Sequence, residues 1–285
     1  MKNNLPFVVQ PLGGLANRMR VVAKCDEVAK AAGVEMQVCW VKDGGLNANY
    51  GDLFEKPLFA LSDAGAPREV CYCSRRWYRR MPMLKYKLAN GFDKMLCAPF
   101  ADAMLDGDEE HPEVFCHKLV QWLKEGKRIF LSTGSFLGVP RNLSMFVPQL
   151  SITQHIEQFV KQHPFSNEHT YGVHIRRTDN TWAIDASPLA LFEKRIESVL
   201  NTDGDANFYL ATDDKDTIST LKERFGEHIL VRDKDFRRSS CEGIKDAVVD
   251  MWLLSKTKEI FGSFYSSFSE MASYIGGNKL TIVKK

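Results

Sequence analysis

Long apolar runs are missing from this 285-residue sequence: segments such as Phe7-Val8-Val9 and Ile229-Leu230-Val231 fall far short of the roughly 20 residues that span a bilayer. No transmembrane segment is expected. The first residues, Met1-Lys2-Asn3-Asn4-Leu5-Pro6, lack the apolar core of a secretory signal, so the expected compartment is the cytoplasm. An excess of charge of either sign is also lacking. With Lys+Arg 38 against Asp+Glu 36 the net charge is +2, too balanced for a chain that coats nucleic acid or an anionic membrane. Any anion recognition must therefore be local. Cysteine is sparse: seven residues, an odd number, scattered without C-x-x-C spacing, which argues against a disulfide framework. The dinucleotide pattern G-x-G-x-x-G, the P-loop, H-E-x-x-H and G-x-S-x-G are all absent, and with them the usual handles for those chemistries.

What is present reads as globular α/β protein, with 44% hydrophobic, 26% charged and 11% aromatic residues. Residues 7–40 form one β-α-β unit, with strands at Phe7-Val8-Val9 and Val34 to Trp40. Between them Leu15, Met19, Val22, Cys25, Ala29 and Ala32 mark one helical face, and Gly33 stands where a helix cap needs positive φ. Residues 42–150 suggest irregular connections among short helices. From Ser151 onward a helix faced by Ile152, Ile156 and Val160 opens a regular alternation: strand 171–175, helix 189–200, strand 208–211, helix 218–225, strand 229–231, helix 244–255, strand 260–261, helix 267–275 and strand 280–283. Such alternation predicts a parallel sheet covered on both faces. Length and pattern together suggest two domains, 1–150 and 151–285.

Ligands of open parallel sheets bind beyond the carboxyl ends of strands, which directs attention to the polar residues that follow each strand. Gly13-Gly14, opening onto a helix, can let a ligand approach the backbone, or can be a plain tight turn. Arg176-Arg177 give two guanidinium forks suited to clamping a phosphate without a metal ion, or a surface ion-pair ladder with Asp179. Asp213 or Asp214 suits a helix N-cap, although Asp214-Lys215-Asp216 formally spells the D-x-D of metal-dependent nucleotide-sugar enzymes. Ser266-Ser267-Phe268-Ser269 can cap a helix or offer hydroxyls to a phosphate. The basic cluster Arg75 to Arg80, with Trp77 and Tyr78, fits a solvated helix face or an anionic or sugar acceptor. A zinc site from Cys71, Cys73, His111, Cys116 and His117 lacks paired short spacings, and no metal is expected.

Taken in order, these clusters resemble the fucosyltransferases of the α1,6-, protein-O- and nodulation type, a superfamily of GT-B glycosyltransferases. Gly172-Val173-His174-Ile175-Arg176-Arg177-Thr178-Asp179 is similar to their G-V-H-[IV]-R-R-T-D at every position, and Tyr209 to Asp214 to their Y-L-A-T-D-D. Ala247 to Leu254, followed by Ser266-Ser267-Phe268, resembles a third region. Gly13-Gly14-Leu15-Ala16-Asn17-Arg18 is a shorter echo of their N-terminal motif, with Ala16 replacing a glycine. The resemblance implies a GT-B-like α/β fold, two Rossmann-like domains with parallel sheets facing across a cleft, the first on the acceptor side and the second binding the nucleotide sugar. It implies an inverting, metal-independent transfer of fucose from GDP-fucose to a glycan or lipid-linked saccharide acceptor, with no cofactor. Arg176 would bind the β-phosphate with Arg177 in support, His174 and Asp250 would contact guanine, and Ser266, Ser267 and Phe268 would line the nucleotide site. Gly14 and Asn17, Asp179 and Asp213 complete the implied donor set. After Asp179 the sequence departs from the α1,6 pattern K-V-G-T-E, and Asp185 is the carboxylate at nearly the same offset, hence the candidate base beside the catalytic Arg176. The alternatives are another donor, GDP-mannose or a UDP-sugar, or a non-catalytic nucleotide-sugar or glycan-binding protein.

Overall fold

Among the residues described by the computed structural model, two parallel sheets of five strands each organise the chain. Those residues are 6–62, 103–105, 111–178, 181–237 and 239–285, without the side chains of 103–105, 182 and 183. The chain divides into two units, Met1–Gly45 with Asn49–Val147 and Leu46–Ala48 with Pro148–Lys285.

In the first unit, β1 (Phe7–Pro11) is buried along its whole length and lies at the centre of the order β3-β2-β1-β5-β4. Helix α1 (Leu15–Ala32) buries Leu15, Met19, Val22, Cys25 and Ala29 of the face that its spacing predicts, leaves Ala32 half-buried in its last turn, and ends on Gly33 at φ 71°. It leads to β2 (Met36–Cys39). Beyond it come α2 (Tyr50–Leu53), β3 (Ala60–Ser62), β4 (Ala103–Leu105), α3 (Pro112–Lys124) and β5 (Ile129–Thr133). Among the described residues of 42–150, three strands and a 13-residue helix correct the expectation of irregular connections among short helices. Two of those strands are three-residue edges, too short to carry a periodic signal. The Arg75–Arg80 cluster, Cys71 and Cys73 lie outside the described residues.

The second unit begins with α4 (Leu150–Gln162), which buries Ile152, Ile156 and Phe159, the last in place of the expected Val160. There follow β6 (Thr170–Ile175), a short α5 (Thr181–Ala186), α6 (Leu189–Leu200), β7 (Asn207–Thr212), α7 (Lys215–Phe225) and β8 (Ile229–Leu230). Then come α8 (Cys241–Ser255), β9 (Glu259–Ser263), α9 (Ser267–Gly276) and β10 (Lys279–Val283). The sheet order is β10-β9-β6-β7-β8. The chain winds outward from β6 through β7 to β8, then crosses back to β9 on the other side. The switch point therefore falls between β6 and β9, the place where open α/β sheets open a crevice for ligands.

Alternation along β6 decides what each face meets. Tyr171, Val173 and Ile175 join Phe208, Leu210, Phe192, Ile196 and Leu221 in one buried cluster. Gly172 and His174 take the other face. A Cβ at Gly172 would lie 2.8 Å from Leu254 Cδ2 and 2.9 Å from Thr257 Oγ1, so glycine lets α8 approach the strand closely.

Candidate functional site

The carboxyl ends of β9, β6 and β7 are neighbours, and a hydrogen-bonded frame joins them. Ser263, the last residue of β9, accepts the backbone N–H of Arg176 at 3.1 Å and donates to His174 O at 3.3 Å. On the other flank, Asp213 accepts the N–H of Arg177 at 2.7 Å and the hydroxyl of Thr178 at 2.6 Å. The loop that carries both arginines is thus held from each side. Their side chains differ in use. Arg177 donates from Nη1 to Ser187 O at 3.0 Å, and burial pushes its pKa down against the pull of Asp214 and Asp213. Arg176 is half-buried, and its cation lies near enough to act on His174.

His174 is 8% exposed and stacks on Phe268 with ring centroids 4.8 Å apart. Burial pushes its pKa down to about 4, so at neutral pH the imidazole is uncharged. Its Nδ1 and the hydroxyl of Ser266 are buried and have no hydrogen-bond partner among the described residues. Ser266 occupies the N-cap position of the 10-residue helix α9, yet its side chain caps nothing. Orphaned buried polar atoms are rare in folded proteins and call for a reason. Two of them, beside a helix N-terminus and a cationic loop, suit an anionic ligand that also carries a ring.

Behind this edge Asp250 is buried in a charge network. Its Oδ1 accepts from Tyr209 Oη at 2.6 Å and lies 3.6 Å from Arg232 Nε, while its Oδ2 pairs with Lys234. Arg232 in turn pairs with Asp246. Burial, followed by the charge of Asp250, drives the Tyr209 hydroxyl pKa well up, which leaves it a committed donor.

In the first unit, the turn after β1 holds Gly13 at φ 90° and Gly14 at the N-cap of α1. Arg18 is the buried staple of this turn: its Nε donates to Gly13 O at 2.9 Å, its Nη2 meets Asp43 at 2.8 Å, and its guanidinium lies over the Trp40 ring. Asn17 is half-buried and accepts from Arg20 Nη2 at 3.2 Å.

No family model matches the sequence, and the comparison with curated proteins found no match. Solved structures do match. The NodZ α-1,6-fucosyltransferase soaked with GDP-fucose superimposes with a TM-score of 0.60 at 15% identity, over 95% of this chain and 92% of that one. NodZ from Bradyrhizobium gives 0.58 at 15% identity over 94% and 92%. The apo form of POFUT1 gives 0.58 at 12% identity, over 99% of both chains. A mutant of FUT1 from Arabidopsis thaliana in complex with GDP gives 0.58 at 15%, over 98% of this chain and 70% of that one. The chain has their fold. The GT-B-like α/β class implied by the motifs is therefore the one found, as two Rossmann-like parallel sheets.

Of the residues singled out in the sequence, His174, Arg176, Arg177, Asp213, Ser266, Ser267 and Phe268 gather at the carboxyl end of the second sheet. Asp250 lies close enough to act on His174, with both carboxylate oxygens already met by protein donors. Gly14 and Asn17 belong to the first unit. Asp179 lies outside the described residues. Asp185 is exposed, on α5. The pair Asp213-Asp214 divides its labour: Asp214 caps α7 by accepting the N–H and hydroxyl of Thr217 at 2.9 and 2.6 Å, whereas Asp213 braces the arginine loop. Sequence reasoning passed over Lys234, which pairs with Asp250, and Ser187, which holds Arg177. Lys234 offered no signal beyond a basic residue in a loop.

Proposed function

We propose that this chain is an inverting glycosyltransferase that moves fucose from GDP-fucose to a hydroxyl of a glycan or lipid-linked saccharide without a metal ion. One observation carries the proposal: the motif-bearing segments His174–Thr178, Thr212–Asp214 and Ser263–Phe268 end adjacent parallel strands at a switch point, in a fold shared with GDP-fucose transferases. Arg176 would take the β-phosphate, where negative charge grows as the bond from fucose to oxygen breaks. The first turn of α9, with Ser266 and Ser267, would receive phosphate or ribose oxygens. Neutral His174 and its stacked partner Phe268 would meet the base. Asp185, on the helix just after the arginine loop, would take the acceptor proton as the hydroxyl attacks the anomeric carbon in line. The described cysteines Cys25, Cys39, Cys116 and Cys241 are free thiols, which suits work in the reducing cytoplasm. No helix among the described residues is long and apolar enough to cross a membrane.

A second donor is favoured by one specific observation. The oxygens of Asp250, implied to meet guanine, already accept from Tyr209 and Lys234, so a base with fewer donors than guanine, as in a UDP-sugar, would sacrifice less here. A thermal-shift panel separates the two. GDP and GDP-fucose at 100-fold their dissociation constants should each add about 2.7 kcal/mol of stability, with no shift from UDP, UDP-sugars or NAD. Silence with every GDP ligand would end the GDP-fucose proposal, and a shift with UDP-sugars alone would replace it by the second.

A further inference from the structure

Ser187 is fully buried, in the turn between α5 and α6, and four segments of the second unit meet on it. Its hydroxyl accepts the backbone N–H of Phe264 at 2.8 Å and donates to Val283 O at 2.6 Å. Its carbonyl accepts Nη1 of Arg177 at 3.0 Å. The carbonyl of Ala186 beside it accepts the N–H of Lys285 at 2.9 Å, so the end of β10 is tied to the same turn. The joined segments are the short helix with Asp185, the arginine loop, the connection from β9 to α9 that leads to Ser266, and the last strand.

We propose that Ser187 is a positioning residue for fucosyl transfer, setting the place of the Arg177 guanidinium, the first turn of α9 and the helix of Asp185 relative to one another. This rests on the glycosyltransferase function proposed above. The chemistry requires a hydroxyl, because the residue must accept from an N–H and donate to a carbonyl at once, in a space closed to solvent. Alanine would leave the Phe264 N–H and the Val283 carbonyl without that partner. The connection that holds Phe264 would then move to find another, and Ser266, two residues on, would move with it. A serine that merely stabilises the fold would lower the melting temperature and leave ligand affinity in the folded molecules as it was.

The test uses Ser187→Ala, Ser187→Cys and Ser187→Thr in the full chain, with GDP titrated by calorimetry and GDP-fucose turnover measured below each variant's melting temperature. Cysteine keeps the volume but bonds weakly and at longer range, and threonine keeps the hydroxyl. Ala and Cys are expected to weaken GDP by about tenfold or more and to lower kcat further, since transfer needs Asp185 and Arg176 aligned as well as donor bound. Thr should restore most of both. Wild-type affinity and kcat in a folded Ala or Cys variant would overturn the proposal, as would a Thr variant no better than Ala. Failure of all three to fold would make Ser187 a folding residue and end it. A wild-type chain that ignores GDP would take down the proposed function itself, whereas GDP binding by wild type beside unchanged variants would take down this inference alone.

Discussion

His174 shows how one buried ring can link stability to pH. Desolvation pushes its pKa down to about 4, with Arg176 and Lys234 adding to the effect and Asp213 and Asp250 opposing it. In the unfolded chain the ring titrates near 6.5. Between these values the unfolded state holds a proton that the native state refuses. Stability from this residue is therefore intact above about pH 6.5 and falls by about 1.4 kcal/mol per pH unit as the pH drops toward 4. Urea unfolding of wild type and His174→Gln across that range should show this slope in wild type only, and parallel slopes would assign the effect to other groups. Arg176 belongs to the same scale, but its expected effect is on turnover. Lysine keeps the charge and loses the planar fork, so Arg176→Lys should lose on the order of 100-fold in kcat, about 3 kcal/mol, with a smaller loss in donor affinity. Steady-state donor titration of the folded variant checks this, and near-normal turnover would make Arg176 an ordinary surface cation.

At the scale of elements, the capping of α7 decides between two readings of Asp214. Burial works against its charge, yet the hydroxyl and N–H of Thr217 hold its pKa below the usual carboxylate range. An N-cap of this kind contributes about 1 kcal/mol, so Asp214→Ala should lower stability by that amount while Asp214→Asn keeps most of it and leaves turnover intact. Loss of Mn²⁺-dependent turnover in both variants, with no change in melting temperature, would restore the D-x-D metal reading. The elements themselves were unevenly legible. Helix α6 could be read from the sequence because Phe192, Ile196 and Val199 repeat at helical spacing. Strand β5 could not, because Ile129-Phe130-Leu131 is a short apolar run that fits a buried helical turn as well as a strand, and its place beside β1 comes from pairing with residues far back in the chain. The candidate site divides similarly. Position after a strand drew attention to Arg176, Asp213 and Ser266, but residue type left Asp213 and Ser266 open as helix caps, and it was the motif resemblance that implied their place in a donor set. Ser187 was hidden because a serine before proline reads as a local cap, whereas Pro188 takes the N-cap of α6 and the serine hydroxyl bonds residues 77 and 96 positions away.

For the whole molecule, near-cancellation of 38 basic by 36 acidic residues leaves little overall field to draw in a nucleotide, so the positive potential that the proposed GDP-fucose donor would need must be built locally. In the second unit that potential comes from fixed groups: Arg176 on a loop braced by Ser263 and Asp213, and the N-terminal turn of α9. A divalent cation would need carboxylates free to ligate it. Asp213 and Asp214 are each engaged by protein donors, and no group of three or more His, Cys, Asp or Glu among the described residues is placed to hold a metal. On the proposed function, the groups that would stabilise the departing diphosphate are Arg176 and the first turn of α9, which belong to the chain and cannot be removed by a chelator. Turnover, followed as GDP release from GDP-fucose with acceptor present, is expected to persist in excess EDTA and to gain nothing from added Mg²⁺ or Mn²⁺. Complete loss in EDTA with recovery on Mn²⁺ would mean that charge on the β-phosphate is met by a metal ion, and Arg176→Lys, which leaves the metal's share of the stabilisation in place, would then show a far smaller loss than the 100-fold order argued above.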